Sequence, residues 1–176
     1  MIKIFKPIII LCIIGTLLSL SLRTKAEQNI KGVIIKPKTK SFQELVNIFS
    51  LTKKEIIKKF GHAYYLTNTG PEGTETGYEF KKKGMTIVFS SDNYVNSVYC
   101  NAIIDFNGAR SGMTFNKIQK FLGKTKIEEV SALEDSNEYK YYLLRYKVIN
   151  NLVILFTTGI NDKVGKAYAY IYKIGR

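Results

Sequence analysis

Apolar and polar positions along this chain fall into short runs whose period changes from element to element. Near the C-terminus, Lys166–Lys173 reads KAYAYIYK. A period of two places successive side chains on opposite faces of a strand, so Ala167, Ala169 and Ile171 share one face and Tyr168, Tyr170 and Tyr172 the other. Upstream, Phe42, Leu45, Val46 and Phe49 are spaced i, i+3, i+4, i+7, an apolar stripe along one helix. Ser41 and Glu44 stand three apart and predict a capping box at its start. A second helix is predicted across LTKKEIIKKFG, capped by Thr52 and Glu55, with Ile56, Ile57 and Phe60 facing inward and Gly61 terminating it.

Thr52, Ile56, Phe60 and Gly61 recur 62 positions later as Thr114, Ile118, Leu122 and Gly123. Lys117 replaces the capping-box glutamate, which weakens that helix start. Three strand-like runs follow the earlier helices: GYEFK, MTIVFSS and NSVYCNAII. Three more follow the later helix: YKYYLLRYKV, NLVILFTT and KAYAYIYKI. Their connectors, KKKG, SDN, INN and GINDKVG, are rich in turn residues. Strands joined by such short turns are antiparallel. The predicted fold is therefore α+β. Two tandem units, each of helix plus three-stranded antiparallel meander, form one six-stranded sheet with the helices on one face. The expected organisation is a leader over 1–26, a polar lead over 27–40, a first repeat over 41–106 and a second over 107–176. If helices cover one sheet face, small Ala167 and Ala169 suit the covered side and the tyrosines face the open one. The opposite register places the tyrosines in the core.

The helix opening Gly112, Met113, Thr114, Ile118, Leu122, Gly123, followed by a meander, resembles the repeat of the β-lactamase-inhibitory protein. It also resembles the single-copy SmpA/OmlA lipoprotein domain. The weaker copy is Leu51, Thr52, Ile56, Phe60 and Gly61. The tandem arrangement, over about Ser41 to Lys173, is more similar to the inhibitor, and secreted Gram-positive proteins of unknown function share the same repeat. The resemblance implies an exported, non-enzymatic module that recognises another macromolecule through the open sheet face and adjoining loops. Repeat disulfides and a lipidated cysteine, which mark the two named groups, have no counterpart here, so neither specific function transfers.

The N-terminus adds a compartment. Lys3 and Lys6 precede the nearly uninterrupted apolar run Pro7–Leu22, and Thr24 and Ala26 are spaced as the recognition positions of a signal peptidase. The expectation is cleavage after Ala26; the alternative is an N-terminal membrane anchor. Losing Lys3, Lys6, Arg23 and Lys25, four cations with no acid, takes the formal charge from +13 to +9. A basic exported protein meets wall polymers, acidic lipid head groups or acidic proteins rather than nucleic acid. The heavy use of Ile, Lys, Asn and Tyr fits a low-GC Gram-positive source. Of the chain's two cysteines, Cys12 lies in the leader and only Cys100 remains, so no internal disulfide is available.

Candidate chemistry is sparse. His62 is the single histidine, and a His62–Cys100 pair has nothing in the pattern to bring it together. No metal site, cofactor site or catalytic group is expected. Glu128, Glu129, Glu134, Asp135 and Glu138 read as a solvated acidic connector lacking the spacing of a calcium loop. TNTGPEGTETG, Thr67–Gly77, reads as a loop carrying Glu72 and Glu75 at an acidic tip. The leading expectation is recognition of an extracytoplasmic protein, including inhibition of an enzyme, through Tyr168, Tyr170, Tyr172 and this loop. The rival is an envelope-associated protein that binds anionic wall polymer or membrane surface through Lys54, Lys58, Lys117 and Lys120.

Overall fold

The computed structural model describes residues 33–62, 65–69, 75–134 and 137–174. The expected leader and its expected cleavage site lie outside them. Three helices are present among these residues: α1 (Lys40–Ile48), α2 (Lys53–Phe60) and α3 (Phe115–Leu122). Nine strands form one mixed sheet: β1 (Ile34–Ile35), β2 (Tyr65–Thr69), β3 (Glu75–Phe80), β4 (Met85–Phe89), β5 (Val95–Cys100), β6 (Ile127–Glu134), β7 (Asn137–Val148), β8 (Leu152–Thr157) and β9 (Tyr168–Lys173). The class is α+β. The strand count exceeds the six expected because β1, β2 and β6 were not read as strands.

Spatial order is β1-β7-β8-β9-β5-β4-β3-β2, with β6 also pairing with β7. All pairs are antiparallel except β1 with β7, where Ile34 and Ile35 lie beside Lys147 and Val148. The runs β2 to β5 and β6 to β9 meet at β5–β9, where Val98 faces Ile171 and Cys100 faces Ala169. Asparagines form the tight corners. Asn150 and Asn151 both sit at positive φ (61° and 58°) between β7 and β8, closed by Leu152 N–H donating to Ile149 O at 3.4 Å. A short polar side chain tolerates this left-handed region better than a branched one.

α1 begins two residues earlier than expected. Thr39, not Ser41, is the N-cap, and its side chain accepts from Phe42 N–H at 3.4 Å. Ser41 instead accepts from Asp105 N–H at 3.1 Å, tying α1 to the loop before α3. Glu44 lies near Lys83 (3.5 Å) and Lys59 (3.7 Å) rather than closing a box. The Thr52–Glu55 capping box does form, whereas Thr114 makes no side-chain cap bond.

One continuous core lies between the helices and one sheet face. It takes Phe42, Leu45 and Ile48 from α1, Ile56 from α2 and Phe115 and Ile118 from α3. The sheet supplies alternate residues, among them Ile87, Val98, Tyr146, Ile154, Phe156, Ala169 and Ile171. Phe106 is edge-on to both Phe42 (5.2 Å) and Phe156 (5.5 Å), so one ring links α1, the 105–110 turn and β8. Such pairs add to ordinary area burial because ring edges and faces carry opposite partial charge.

Gly84 ends the Lys81–Lys83 turn at φ 68°, and a Cβ there would strike Asn101 Oδ1 and approach Ile103 Cβ at 2.9 Å. Gly84→Ala is expected to cost about 1–3 kcal/mol from left-handed strain and collision. Urea denaturation measures this, and an unchanged midpoint would contradict the turn geometry.

Candidate functional site

The reverse face of the sheet has its own chemistry. Cross-strand register lines up Tyr99 of β5, Tyr170 of β9 and Leu155 of β8, with Arg145 of β7 next in the row. One row on stand Ser97, Tyr172 and Val153. No helix residue belongs to the apolar cluster on this side, which comprises Tyr141, Leu143, Val153, Leu155, Tyr170 and Tyr172, with Tyr99, Val130, Tyr139, Ile160 and Ile174 packed around it. Tyr99 and Tyr170 rings lie 4.8 Å apart, and Tyr170 stacks on Tyr172 at 5.5 Å.

The alternation in KAYAYIYK thus divides as expected: Ala169 and Ile171 lie in the helix-side core and Tyr170 and Tyr172 on the other side. The expectation that all three tyrosines present an open surface needs correction. Tyr170 and Tyr172 are only 8% and 9% exposed, because neighbouring strands and the 158–162 loop contribute enough apolar bulk for a second small core. Tyr168 is exposed at 39%.

Arg145 sits within this layer at 5% exposure. Glu128 of β6 clamps it through two hydrogen bonds, Nε to Oε1 at 3.0 Å and Nη2 to Oε2 at 2.9 Å, while Nη1 donates to Tyr172 Oη at 3.4 Å. Burial works against the guanidinium charge, but Glu128 and Tyr172 outweigh it and raise the Arg145 pKa. The planar fork fits a carboxylate at two points, which fixes the side chain's direction as well as its charge. Glu128 and Glu129 are expected from the sequence in a solvated connector. They belong to a long hairpin instead: Glu128 holds Arg145, and Glu129 pairs with Lys140 at 2.9 Å. The signal was present in the matching cations of the following strand.

The helical face carries the lysines. Lys54 and Lys58 of α2 and Lys117 and Lys120 of α3 are all exposed. α2 also has Lys53, whose ammonium lies 4.2 Å from the Tyr78 ring centroid. Near α3, two stretches of chain without acids come together. Residues 106–127 contain no Asp or Glu and include Arg110, Lys117, Lys120, Lys124 and Lys126. Residues 33–43 likewise contain none and include Lys36, Lys38 and Lys40. Asn107 joins the two, its Nδ2 donating to Lys36 O at 2.9 Å and its Oδ1 accepting from Lys38 N–H at 2.8 Å.

The expected acidic loop is shorter than Thr67–Gly77. Thr67 pairs with Gly77 and Thr69 with Glu75 as the ends of β2 and β3. Glu72 lies outside the described residues; Glu75 opens β3, and its side chain is not described. His62 is exposed just beyond the α2 C-cap Gly61, whereas Cys100 is buried on β5, its thiol pushed up by desolvation. Among the described residues, no group of three His, Cys, Asp or Glu could hold a metal ion, and no helix is long and apolar enough to cross a membrane.

No family model matches the chain, and no curated protein sequence matches it. Solved structures superpose on parts of the chain at low similarity. An extracellular protein containing an SCP domain from Bacillus anthracis str. Ames superposes with a TM-score of 0.47 at 8% identity, over 73% of this chain and 45% of that one. A DUF4309 family protein from Bacillus subtilis gives 0.45 at 15% identity, over 72% and 80%. A cysteine-rich secretory protein from Staphylococcus aureus gives 0.41 at 15% identity, over 80% and 50%. The chain therefore spans about half the length of the first and third. Likeness at this level assigns neither family nor activity.

Two expectations follow. A buried thiol of raised pKa has little thiolate to react. Cys100 should thus resist an aromatic disulfide reagent at neutral pH in the native protein and react fully in guanidinium; rapid native labelling would show that β5 is open. Glu128→Ala should destabilise by about 1–3 kcal/mol, less than for a fully buried pair because Glu128 is partly solvated. Arg145→Met combined with Glu128→Leu should recover much of that loss. Denaturant titration of both variants tests the pair, and equal losses would mean the ion pair is not the cause.

Proposed function

We propose that the chain is an exported, non-enzymatic binding module of a Gram-positive envelope, engaging a polyanionic surface through its lysine-bearing helical face. The phosphate groups of a wall polymer and of acidic lipid head groups share the required chemistry. The observation that carries this reading is the meeting of two acid-free, lysine-containing stretches at Asn107, with exposed Lys117 and Lys120 on the adjoining helix. Several cations without intervening acids raise the local anion concentration. The leader pattern supports export, with cleavage after Ala26 or retention as an anchor. The buried Cys100 thiol argues against the one nucleophilic pair the sequence offered, His62 with Cys100. The order of the two strand runs about β5–β9 supports reading the halves as tandem copies.

A second reading is recognition of an extracytoplasmic protein, including inhibition of an enzyme, through the tyrosine-bearing sheet face. Its favouring observation is Tyr168, exposed beside the buried aromatic layer in which Tyr172 and Glu128 hold Arg145. In this version Tyr170 and Tyr172 give the face rigidity and Tyr168 makes the contact. Tyrosine suits such a role because it supplies large area at small entropic cost.

Soluble polyphosphate is the direct probe. Binding should weaken steeply between low and physiological salt as screening shortens the reach of the lysines. Lys117→Glu with Lys120→Glu should lower affinity at least about ten-fold, each reversal removing a favourable charge and adding an unfavourable one. Salt-insensitive binding, or binding indifferent to both reversals, would remove the basis of the first reading. Loss of capture of an envelope protein on Tyr168→Ala alone would favour the second.

A further inference from the structure

The apolar residues that remain exposed on a basic surface narrow the partner. Phe121 is 54% exposed although it sits on α3, a helix whose Phe115, Ile118 and Leu122 are buried. It is on the helix's outer side, one turn beyond Lys117 and next to Lys120, with Lys124 just past the end. Its ring rests on the 105–110 turn, so closely that a Cβ on Gly108 would lie 2.8 Å from Cε1. Gly108 has φ 101°, Asn107 has φ 55°, and Phe106 and Ala109 exchange backbone bonds of 2.8 and 3.2 Å across the turn. The next residue back, Asn107, holds the backbone of Lys36 and Lys38. Phe121 is therefore a fixed aromatic projection with lysines on both sides.

The surrounding electrostatics are one-sided. Asp105 is the acid of this turn, and Arg110 Nη2 donates to its Oδ2 at 2.6 Å while Gly108 N–H donates to Oδ1. Partial burial raises the carboxyl pKa, but these two donors outweigh it and hold the group below the usual range. The acid is thus matched within the turn. Among the described residues, no ion pair involves Lys36, Lys38, Lys117, Lys120 or Lys124. Val33, exposed at 37%, packs at the same helix end, where a Cβ on Gly123 would meet its Cγ1 at 3.7 Å. The chain thus enters the described fold beside the C-terminal end of α3, ten residues after the apolar run Pro7–Leu22. Ten residues span at most about 35 Å.

We propose that this end of the helical face docks on an anionic lipid bilayer. Phe121 enters the head-group layer, and Lys36, Lys38, Lys117, Lys120 and Lys124 lie against lipid phosphates. The proposal rests on the polyanion reading above and commits it to lipid. A soluble polymer needs the lysines alone and gains nothing from an exposed ring. A bilayer accepts both, because an aromatic side chain partitions into the interface while long lysine stems keep their ammonium groups at the phosphates. The charge is complementary to acidic head groups, whose surface potential draws in clustered lysines.

The test uses the exported form from Glu27 onward, whose described core lies wholly between Ile35 and Tyr172. It is sedimented with phosphatidylglycerol–phosphatidylcholine vesicles, with pure phosphatidylcholine vesicles, and titrated with polyphosphate. Binding is expected to the anionic vesicles and not the zwitterionic ones. Phe121→Ala should weaken vesicle binding about ten-fold or more, the scale of exposing a buried aromatic side chain, and leave polyphosphate binding unchanged. The chain has no tryptophan, so Phe121→Trp provides a single fluorophore whose emission should shift to the blue on anionic vesicles. Vesicle binding with an unshifted Trp emission, or vesicle affinity unchanged in Phe121→Ala, overturns the proposal. Polyphosphate binding without vesicle binding overturns the lipid docking and leaves the polyanion reading standing. Binding to neither overturns both.

Discussion

The antiparallel junction between β5 and β9 is the constraint from which the rest of the molecule follows. It joins two runs of strands that are otherwise separate, and it sets which alternate residues face the helices. Its ladder does not end on a simple backbone bond. At the Cys100–Ala169 pair, the buried Ser111 hydroxyl donates to Cys100 O and accepts from Ala169 N–H at 2.9 Å. Beyond it, Gly112 N–H donates to Ala167 O at 2.8 Å and Ala167 N–H to Met113 O at 2.9 Å. The segment leading into α3 is thereby stitched along β9. A backbone donor and acceptor left unpaired there would each carry a desolvation cost, so one hydroxyl that satisfies both is an economical closure. The same stitch fixes where α3 begins and therefore where Phe121 and its lysines point.

At its other end α3 is held by Tyr146, whose hydroxyl donates to Gly123 O at 2.9 Å and whose pKa burial pushes up to about 12. A neutral, hydrogen-bonded phenol under a helix C-terminus keeps that carbonyl paired without adding charge to the core. α3 is thus clamped at both ends by sheet residues. Phe121 covers the Gly108 turn with part of its ring, and the 54% left in solvent is the part available for contact outside the chain.

The sequence made the α+β class, the inward faces of α1 and α3, and Ile56 and Phe60 of α2 legible, because those signals are local: an apolar stripe, a Thr–Glu box, a terminal glycine. Ile57, expected inward with them, does not join the core. The division of β9 into alanine and tyrosine faces was legible for the same reason. What escaped was set by partners distant in the chain. Tyr170 and Tyr172 are buried by residues of β5, β7 and β8 and the 158–162 loop, none of which the pattern of β9 can reveal. β6 escaped because IEEVSALE carries its acids where a half-buried strand expects apolar residues, and only Arg145 and Lys140 on the neighbouring strand make those acids compatible with a sheet. Ser41 yields the N-cap position to Thr39, and its hydroxyl accepts instead from Asp105, a residue more than sixty positions away. The Asn107–Gly108 turn had a strong local signal, yet it joins no two of the expected strands and so had no place in a meander.

Charge placement connects these structural details to a common orientation. Glu128 and Glu129 of β6 are matched across the hairpin by Arg145 and Lys140, Asp105 by Arg110, and Glu44 lies between Lys59 and Lys83. Pairing consumes acids and cations together, so the excess positive charge is concentrated where acids are missing, around α3 and the 36–40 segment. An asymmetric excess does more than attract an anionic surface. It turns the molecule as it approaches, since the field acts most strongly on the unpaired end. The helix-side end that leads is the one carrying Phe121, and the face carrying Tyr168 lies across the sheet from the helices. Docking through α3 would therefore leave the tyrosine face free to meet a second macromolecule, so the two binding readings require different surfaces of one fold and do not compete for the same residues.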